Sequence, residues 1–244
     1  MISPQTTLRT IALDQPATIR VFERFHLDYC CGGKRPLAEA CSAQGIDAAQ
    51  LIVELEEAIA GGRPTEIHPQ SMSNTELIRH IVDTHHSFVR AELPRLDRMM
   101  KKVVAAHGPA RPEIAAVAGH LARLAEELTT HLMKEEQILF PYIEALDHSR
   151  AGIAEPPHAC FATVESPIQM MLAEHEEAAA LLEQMRSATN GFTPWQGACP
   201  TSAGLYHGLA EFERDLHRHV HLENNLLFPR AIEAEREAMA ISRG

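Results

Sequence analysis

A pattern of histidine and glutamate residues occurs twice in the second half of the chain. The segment HLMKEEQILFP spans residues 131–141, and HVHLENNLLFP spans residues 219–229. In each copy a histidine precedes a glutamate by four residues, and Leu-Phe-Pro follows at the same offset. On a helix, side chains four residues apart lie on one face. Two such faces inside a helical bundle could offer two imidazoles and two bridging carboxylates to a pair of metal ions.

Two further histidines follow the same spacing along the chain. The intervals between His86, His131, His175 and His219 are 45, 44 and 44 residues. In an up-down bundle of similar hairpins, equal spacing returns each side chain to about the same height. The sequence therefore predicts one metal site that contains six residues: His86, His131, Glu135, His175, His219 and Glu223. The neighbouring His85 could take the place of His86, and spacing alone leaves that choice open.

Helix geometry separates three other histidines from this predicted site. His107 lies 21 residues after His86, which is about 31 Å along a continuous helix, so we place it at a helix end. His217 and His221 also stand four residues apart, but they point roughly 160° away from the face of His219. We expect these two residues at the surface.

The donor atoms narrow the choice of metal. Imidazole and carboxylate ligands without thiolates suit iron, manganese or zinc, and two glutamates that can bridge favour a dinuclear centre. Because only two of the six ligands are anionic, such a centre should keep coordination positions for a small ligand such as dioxygen or nitric oxide. Iron is the expected metal, and manganese and zinc stay open at this point.

The elements that must position these residues are helices. Long helical patterns cover residues 75–106, 112–146, 167–188 and 201–240, and Pro141 and Pro229 inside the second and fourth patterns could kink them. Capping boxes at Ser73 and Ser166 mark two starts. We predict an all-α protein in which an up-down four-helix bundle over residues 75–240 follows a small helical domain over residues 1–62. The Gly- and Pro-rich segment 61–74 reads as a linker.

The N-terminal domain carries an adjacent cysteine pair. Cys30 and Cys31 lie in the turn DYCCGGKRP, residues 28–36, where Gly32 and Gly33 permit backbone conformations closed to other residues. Nearby Lys34 and Arg35 favour a reactive thiolate, whereas Asp28 opposes it. The pair could bind iron, a nitrosyl or a partner's cluster transiently, or it could simply pack a tight turn. Of the other cysteines, Cys41 is expected in the core, and Cys160 and Cys199 in loops.

The composition limits the classes of function. A net charge of -11 without a Lys or Arg cluster argues against nucleic-acid binding. No apolar run approaches the roughly 20 residues of a membrane-spanning helix, and the polar start MISPQTTLRT lacks the apolar stretch of a secretory signal. We therefore expect a cytoplasmic protein whose five cysteines stay reduced.

The motifs together resemble a known group of proteins. The bundle looks like that of the hemerythrin-like di-iron proteins, and DYCCGGK combined with HLMKEEQILFP and HLENNLLFPR is similar to the repair-of-iron-centres family, which includes the ScdA-type proteins. The resemblance covers nearly the whole chain. It implies a cytoplasmic bacterial homodimer that helps to recover iron-sulfur clusters damaged by nitric oxide or peroxide during stress. It also implies an oxo- and carboxylate-bridged centre of two iron ions, with the four histidines as terminal ligands, Glu135 and Glu223 as bridges, and a functional role for Cys30 and Cys31.

Three functional hypotheses follow from these observations. In the first, the centre repairs clusters in damaged partner proteins, either by releasing iron or by consuming nitric oxide. In the second, the chain is a carrier or sensor of nitric oxide or dioxygen. In the third, it is an enzyme that reduces nitric oxide to nitrous oxide.

Overall fold

The computed structural model describes residues 2–61, 69–155, 157 and 161–241. Half of the predicted linker, residues 62–68, and Cys160 lie outside the described residues. Within the described ranges the chain is built of helices, and the only extended pairing is an isolated bridge from Thr7 to Pro36. The all-α prediction is confirmed. No helix in the described part of the chain is long and apolar enough to cross a membrane.

Four short helices come first: α1 Leu8–Asp14, α2 Ile19–Arg24, α3 Leu37–Gln44 and α4 Ala48–Gly61, with a 3-10 turn at Pro16–Thr18. Thr7 caps α1, because its hydroxyl accepts a hydrogen bond from Thr10 N at 3.2 Å. Gly45, with φ of 68°, ends α3 in the left-handed conformation that suits glycine.

Four long helical rods follow, and three of them contain a wider π-helical turn. The first rod is α5 Asn74–Ile81, turn π1 Val82–His86 and α6 Ser87–His107. The second is α7 Pro112–Lys134, turn π2 Glu135–Leu139 and α8 Phe140–Arg150. The third is α9 Glu165–Ala188, and the fourth is α10 Pro200–Leu222, turn π3 Glu223–Leu227 and α11 Phe228–Ile241. Short 3-10 turns occupy Pro69–Ser71 and Gly108–Ala110.

The third rod begins two residues earlier than predicted. Its first residue is Glu165 and its N-cap position is Val164, so Ser166 is not the cap. The reason is a contact that is distant in sequence. Val164 N donates to both carboxylate oxygens of Glu235, at 2.9 and 3.0 Å, and this bond fixes the entry to the helix.

The described chain divides into two compact units. One contains the described residues within 74–216 and 231–241. In it α6 packs on α7, α7 on α9, and α5 on α8. The fourth rod joins α9 through Arg186, whose Nε donates to the buried Glu213 at 2.9 Å, and joins the first rod through stacked Phe88 and Phe212 rings. These contacts make a bundle of helices with a leucine-rich interior, as the 3.6-residue periodicity of the sequence indicates.

The other unit contains the described residues within 2–73, together with 217–230. Its core is aromatic and aliphatic, and Leu8, Phe22, Tyr29, Leu37 and Leu51 are almost fully buried in it. Within this unit Arg218 donates to both oxygens of Glu23, at 2.7 and 2.9 Å. A bidentate pair of this kind fixes both distance and orientation.

The two glycines of the cysteine turn serve a different purpose from the predicted one. Neither Gly32 nor Gly33 has a positive φ. Instead the turn needs their small size, because a Cβ atom on Gly33 would collide with the carbonyl oxygen of Tyr29. The expectation of an unusual backbone conformation is wrong, and the requirement is one of space.

Candidate metal centre

The π-helical turns lie at the predicted ligands. Turn π1 ends at His86, turn π2 begins at Glu135 and turn π3 begins at Glu223. In π2 and π3 a proline follows the first residue of the turn by six positions, at Pro141 and Pro229. Proline has no N–H to donate to the carbonyl four residues earlier, and a widened turn ahead of it accommodates that lost bond. The repeated Leu-Phe-Pro tail thus belongs to the same local structure as the glutamate.

Six side chains converge on two overlapping groups of ligand atoms. One group is His86, Glu135, His219 and Glu223, and the other is His131, Glu135, His175 and Glu223. In each group, one candidate ligand atom from every residue lies within 4.8 Å of the others, and all the residues are buried. Both glutamates belong to both groups. Each pair of histidines can therefore hold one ion while the two carboxylates are shared.

Neighbouring carboxylates set the tautomers of two of these histidines. His86 Nδ1 donates to Glu136 Oε1 at 2.6 Å, and His131 Nδ1 donates to Glu174 Oε2 at 2.8 Å. An ionised carboxylate only accepts, so the proton of each neutral ring sits on Nδ1 and the lone pair on Nε2. Both Nε2 atoms face Glu135 Oε2, each at 3.4 Å. Lone pairs that face a carboxylate oxygen repel it unless a cation lies among them.

The two outer carboxylates are held in their ionised form. Burial alone would raise the pKa of Glu136, but hydrogen bonds from His86 and Arg90 bring it below its ordinary value. Burial acts on the pKa of Glu174 in the same direction, and hydrogen bonds from Lys134 and His131 again lower it. Carboxylates that orient metal-binding histidines are common around metal sites and raise the basicity of the ring. Glu174 has no counterpart in the repeated motif, which is why the sequence did not single it out.

Glu135 provides the test of whether a metal fits. Its side chain is fully buried, and neither carboxylate oxygen has a hydrogen-bond partner among the described residues. A buried charge without hydrogen bonds costs on the order of several kcal/mol unless a counter-charge is present. Ligand atoms that lie about 2.0–2.2 Å from one ion are themselves about 3 Å apart, which matches the 3.4 Å separations of Glu135 Oε2 from the two histidines. The donor set fits a divalent metal ion bound on either side of this carboxylate.

The other histidines lie as follows. His85 Nδ1 bonds Asp215 Oδ1 at 2.9 Å and belongs to neither ligand group, whereas His86 belongs to one. His107 is the last residue of α6, as predicted from its distance along the helix. His221 contradicts the prediction of a surface position, because it is 2% exposed. Its ring packs edge-on against Tyr29, and desolvation lowers the pKa of His221 to about 4.

The cysteine turn is organised around Asp28. Its Oδ1 accepts hydrogen bonds from the backbone N–H groups of Cys30 at 3.1 Å and Cys31 at 2.9 Å. The same oxygen accepts from the Cys30 thiol at 3.2 Å. Its Oδ2 accepts from the backbone N–H of Gly32 at 2.8 Å. The hydrogen bond with Cys31, burial and Asp28 together raise the pKa of Cys30 well above its usual value. The predicted opposing effect of Asp28 is present, but the contact with Cys31 and burial contribute more to the raised pKa than Asp28 does. Asp28, Cys30 and Cys31 form a third group of ligand atoms within 4.8 Å of one another.

The same turn packs directly on π3. Asn225 Nδ2 donates to the carbonyl oxygens of Tyr29 at 3.2 Å and Cys30 at 3.1 Å, and Asn224 Nδ2 lies 3.8 Å from Cys31 Sγ. These two asparagines follow Glu223 in the chain. The backbone around the cysteines is thus hydrogen-bonded to the helical turn that carries one of the shared carboxylates.

A cavity of about 540 Å³ reaches the histidines of the second group. Its wall includes His131 and His175, and the charged side chains of Arg123, Lys134 and Glu174 line it as well. A small polar molecule could approach the two histidines through this cavity.

Comparisons with known proteins agree with this geometry. A family model described as the hemerythrin HHE cation binding domain matches residues 77–231, and a second, described as a domain of unknown function, DUF542, matches residues 4–59. The chain is 37% identical over 229 residues to the iron-sulfur cluster repair protein YtfE of Cronobacter sakazakii, an alignment that covers 94% of this chain and 97% of that protein. The proteins of the same name from Dickeya chrysanthemi and Escherichia coli are also 37% identical, over 94% and 93% of this chain and 97% of each relative.

Removal of metal should destabilise the protein, because it leaves Glu135 and Glu223 as buried carboxylates with no cation. Ligand binding at about a hundredfold excess over the dissociation constant contributes about 2.7 kcal/mol, which corresponds to a shift in melting temperature of about 5–10 °C for a chain of this size. Calorimetry of metal-loaded and chelator-treated protein at neutral pH measures the shift. As a control, the Glu135→Gln variant buries no charge at this position. Its metal-loaded and metal-free forms should therefore differ less in melting temperature than those of the wild type. Equal melting temperatures for the loaded and the metal-free wild type would contradict a buried shared site.

Proposed function

This chain belongs to the family of iron-sulfur cluster repair proteins that contain a hemerythrin HHE cation binding domain, and on that premise we propose that it is a di-iron protein that repairs damaged iron-sulfur clusters in other proteins. The observation that carries the proposal is the pairing of two features. One is the six-residue group of buried histidines and glutamates, and the other is the cysteine turn hydrogen-bonded to π3. A binding centre and a thiol pair in contact with one of its helices are what a protein needs to hold iron and pass it on.

In the proposed centre, His86 and His219 bind one iron ion, and His131 and His175 bind the other. Glu135 and Glu223 would serve as ligands for both ions, since both belong to each ligand group. When bound, the two iron ions supply redox chemistry and positions for a small ligand such as nitric oxide or dioxygen. Glu136 and Glu174 keep the Nδ1 protons of His86 and His131 in place, so the Nε2 lone pairs stay directed at the metal positions.

The cysteine turn is proposed as the place where iron passes to or from a partner protein. Cys30 and Cys31, with Asp28, offer two sulfur donors and one oxygen donor within 4.8 Å. The raised pKa of Cys30 keeps its thiol protonated until a cation arrives. When a ferrous ion, as cargo, replaces that proton, the nearest acceptor is Asp28 Oδ1, 3.2 Å from the sulfur. Asp28 thus gives the thiol a route to lose its proton inside a buried turn.

Asn225 is proposed as the positioning residue that connects the two sites. Its amide bonds the Tyr29 and Cys30 carbonyls while its backbone belongs to π3, two residues after Glu223. A shift of the cysteine turn on binding a cation would therefore move the turn that presents Glu223. The proposed setting for this activity is the cytoplasm, where thiols stay reduced, and the proposed assembly is a homodimer.

A carrier or sensor of nitric oxide or dioxygen is the second candidate. The cavity that reaches His131 and His175 favours it, because it offers a small molecule a path to one side of the centre. This candidate predicts reversible binding without net turnover. Reduction of nitric oxide to nitrous oxide at the same centre would instead require many turnovers with an added reductant.

The repair proposal predicts that iron-loaded protein reactivates an enzyme whose cluster was damaged by nitric oxide or by peroxide, and does so faster than the same concentration of free ferrous iron. Recovery of enzyme activity under anaerobic conditions is the measurement. The Cys30→Ser, Cys31→Ser double variant should keep its bound iron yet fall to the rate of free iron, whereas Cys199→Ser should behave as wild type.

The two kinds of damage separate the routes of repair. Recovery after both peroxide and nitric oxide supports iron donation, and recovery after nitric oxide alone supports removal of that molecule. If the loaded protein gives no more recovery than free ferrous iron in either case, the repair function is refuted.

The connection through Asn225 can be tested with a matched pair of variants. Asn225→Ala removes the hydrogen bonds to the cysteine turn and should slow iron transfer to a chelator about tenfold while leaving the iron content per chain unchanged. Gln137 occupies the corresponding position of π2, two residues after Glu135, and is exposed. Gln137→Ala should leave the rate of transfer as in the wild type. Equal rates for the two variants would show that Asn225 does not couple the sites.

A further inference from the structure

A second cluster of reactive side chains lies away from the metal ligands. Cys199 directly precedes α10 and is half-buried. Its Sγ lies 3.4 Å from His107 Nε2 and 3.3 Å from Ser202 Oγ. None of these residues belongs to the ligand groups found among the described residues. A nucleophile and a ring nitrogen at this separation form the kind of pair that activates a thiol.

The surroundings of Cys199 favour its thiolate. The Ser202 hydroxyl contributes most and His107 next, followed by the backbone N–H groups of Ser202 and Thr201, and together they lower the pKa of Cys199 to about 6. The amide groups act because α10 begins here, and the N-terminal end of a helix carries a partial positive charge. Cys30 and Cys41 differ, since the pKa of each is raised.

The base of this pair is held in place by aromatic contacts. The His107 ring packs edge-on against Trp195, with ring centroids 5.3 Å apart. The Arg111 guanidinium lies over the Trp195 ring, 4.3 Å from its centroid. Arg111 in turn bonds Glu113 at 3.1 Å. His107, at the end of α6, is thus the titratable group that contacts the sulfur directly, and the Arg111 and Glu113 pair lies behind it, against Trp195. An oriented base completes the arrangement of a reactive thiol.

We propose that Cys199 and His107 form a thiol-disulfide exchange site that accepts low-molecular-weight disulfides. The Cys199 thiol gives its proton to His107 Nε2, and the sulfur attacks one sulfur atom of the disulfide. The disulfide bond breaks as a mixed disulfide forms on Cys199. The departing thiolate takes the proton from His107 and leaves as a thiol. Cys199 is oxidised to the disulfide level, and one half of the small disulfide is reduced.

This site is separate from the proposed metal centre. Cys199 precedes His219 by 20 residues, which corresponds to about 30 Å along a helix. A mixed disulfide on Cys199 therefore does not occupy a metal position. The inference does not depend on the repair function, and it stands or fails by the chemistry of this one thiol.

The test uses the full chain and glutathione disulfide as the probe. The rate of mixed-disulfide formation at each cysteine is measured by mass spectrometry from pH 5 to pH 9. At pH 6.5 a thiol with a pKa near 6 has a far larger thiolate fraction than an ordinary thiol but a less nucleophilic sulfur. The net expectation is that Cys199 reacts about five- to tenfold faster than Cys31, with a midpoint of its pH profile near 6.

Two variants assign the cause of the reactivity. His107→Phe keeps a ring against Trp195 and removes the nitrogen, and Ser202→Ala removes the hydroxyl. Each should raise the midpoint of the Cys199 profile and slow the reaction several-fold at pH 6.5, whereas at pH 9 each should react at least as fast as the wild type, because a thiolate of higher pKa is the better nucleophile. The proposal is overturned if Cys199 reacts no faster than Cys31 at pH 6.5, if its wild-type midpoint lies at the ordinary value of about 8.5, or if both variants leave the midpoint unchanged.

Discussion

The rest of the structure depends on the burial of carboxylate groups inside a helical core. Glu135 and Glu223 are both 0% exposed, and two histidine nitrogens that carry no proton lie 3.4 Å from Glu135 Oε2. Such an arrangement is costly for a chain alone and favourable once cations are present. Leucine-rich helices create the dry interior, and the histidines, with Glu136 and Glu174 behind two of them, give that interior its affinity for metal. The proposed metal binding and the stability of the helical core therefore depend on the same residues.

The widened helical turns link this chemistry to the sequence. Pro141 and Pro229 follow the shared glutamates by six residues and lack the N–H that a regular helix requires. The first rod also has a π turn, which ends at His86, but no proline follows the first residue of that turn by six positions. The widened turn there therefore has a different local cause. In π3 the widened turn also carries Asn225, which donates a hydrogen bond to the cysteine turn. One irregular turn thus serves both the carboxylate and the contact with the thiol pair.

Much of the helical architecture could be predicted from the sequence, because periodicity and the 44-residue spacing depend on local geometry. The six convergent residues followed from the same reasoning.

Contacts between residues distant in sequence could not be predicted. His221 was expected at the surface, since helical phase alone does not reveal that Tyr29 packs against it. Glu174 also lacked a signal, because its role arises from His131, and the sequence indicated the charge of Asp28 but not the backbone hydrogen bonds that it accepts. The start of α9 was misplaced for the same reason, through Glu235.

The central claim is that Glu135 and Glu223 are shared by two metal positions. The most direct test is the iron content per chain of protein purified without oxygen, together with the content of the Glu135→Ala and Glu223→Ala variants. We expect about two iron ions per wild-type chain, in keeping with the two ligand groups, and loss of both ions in either variant, because each carboxylate serves both positions. A wild-type chain that saturates with a single ion, or a variant that loses only one of two, would contradict it.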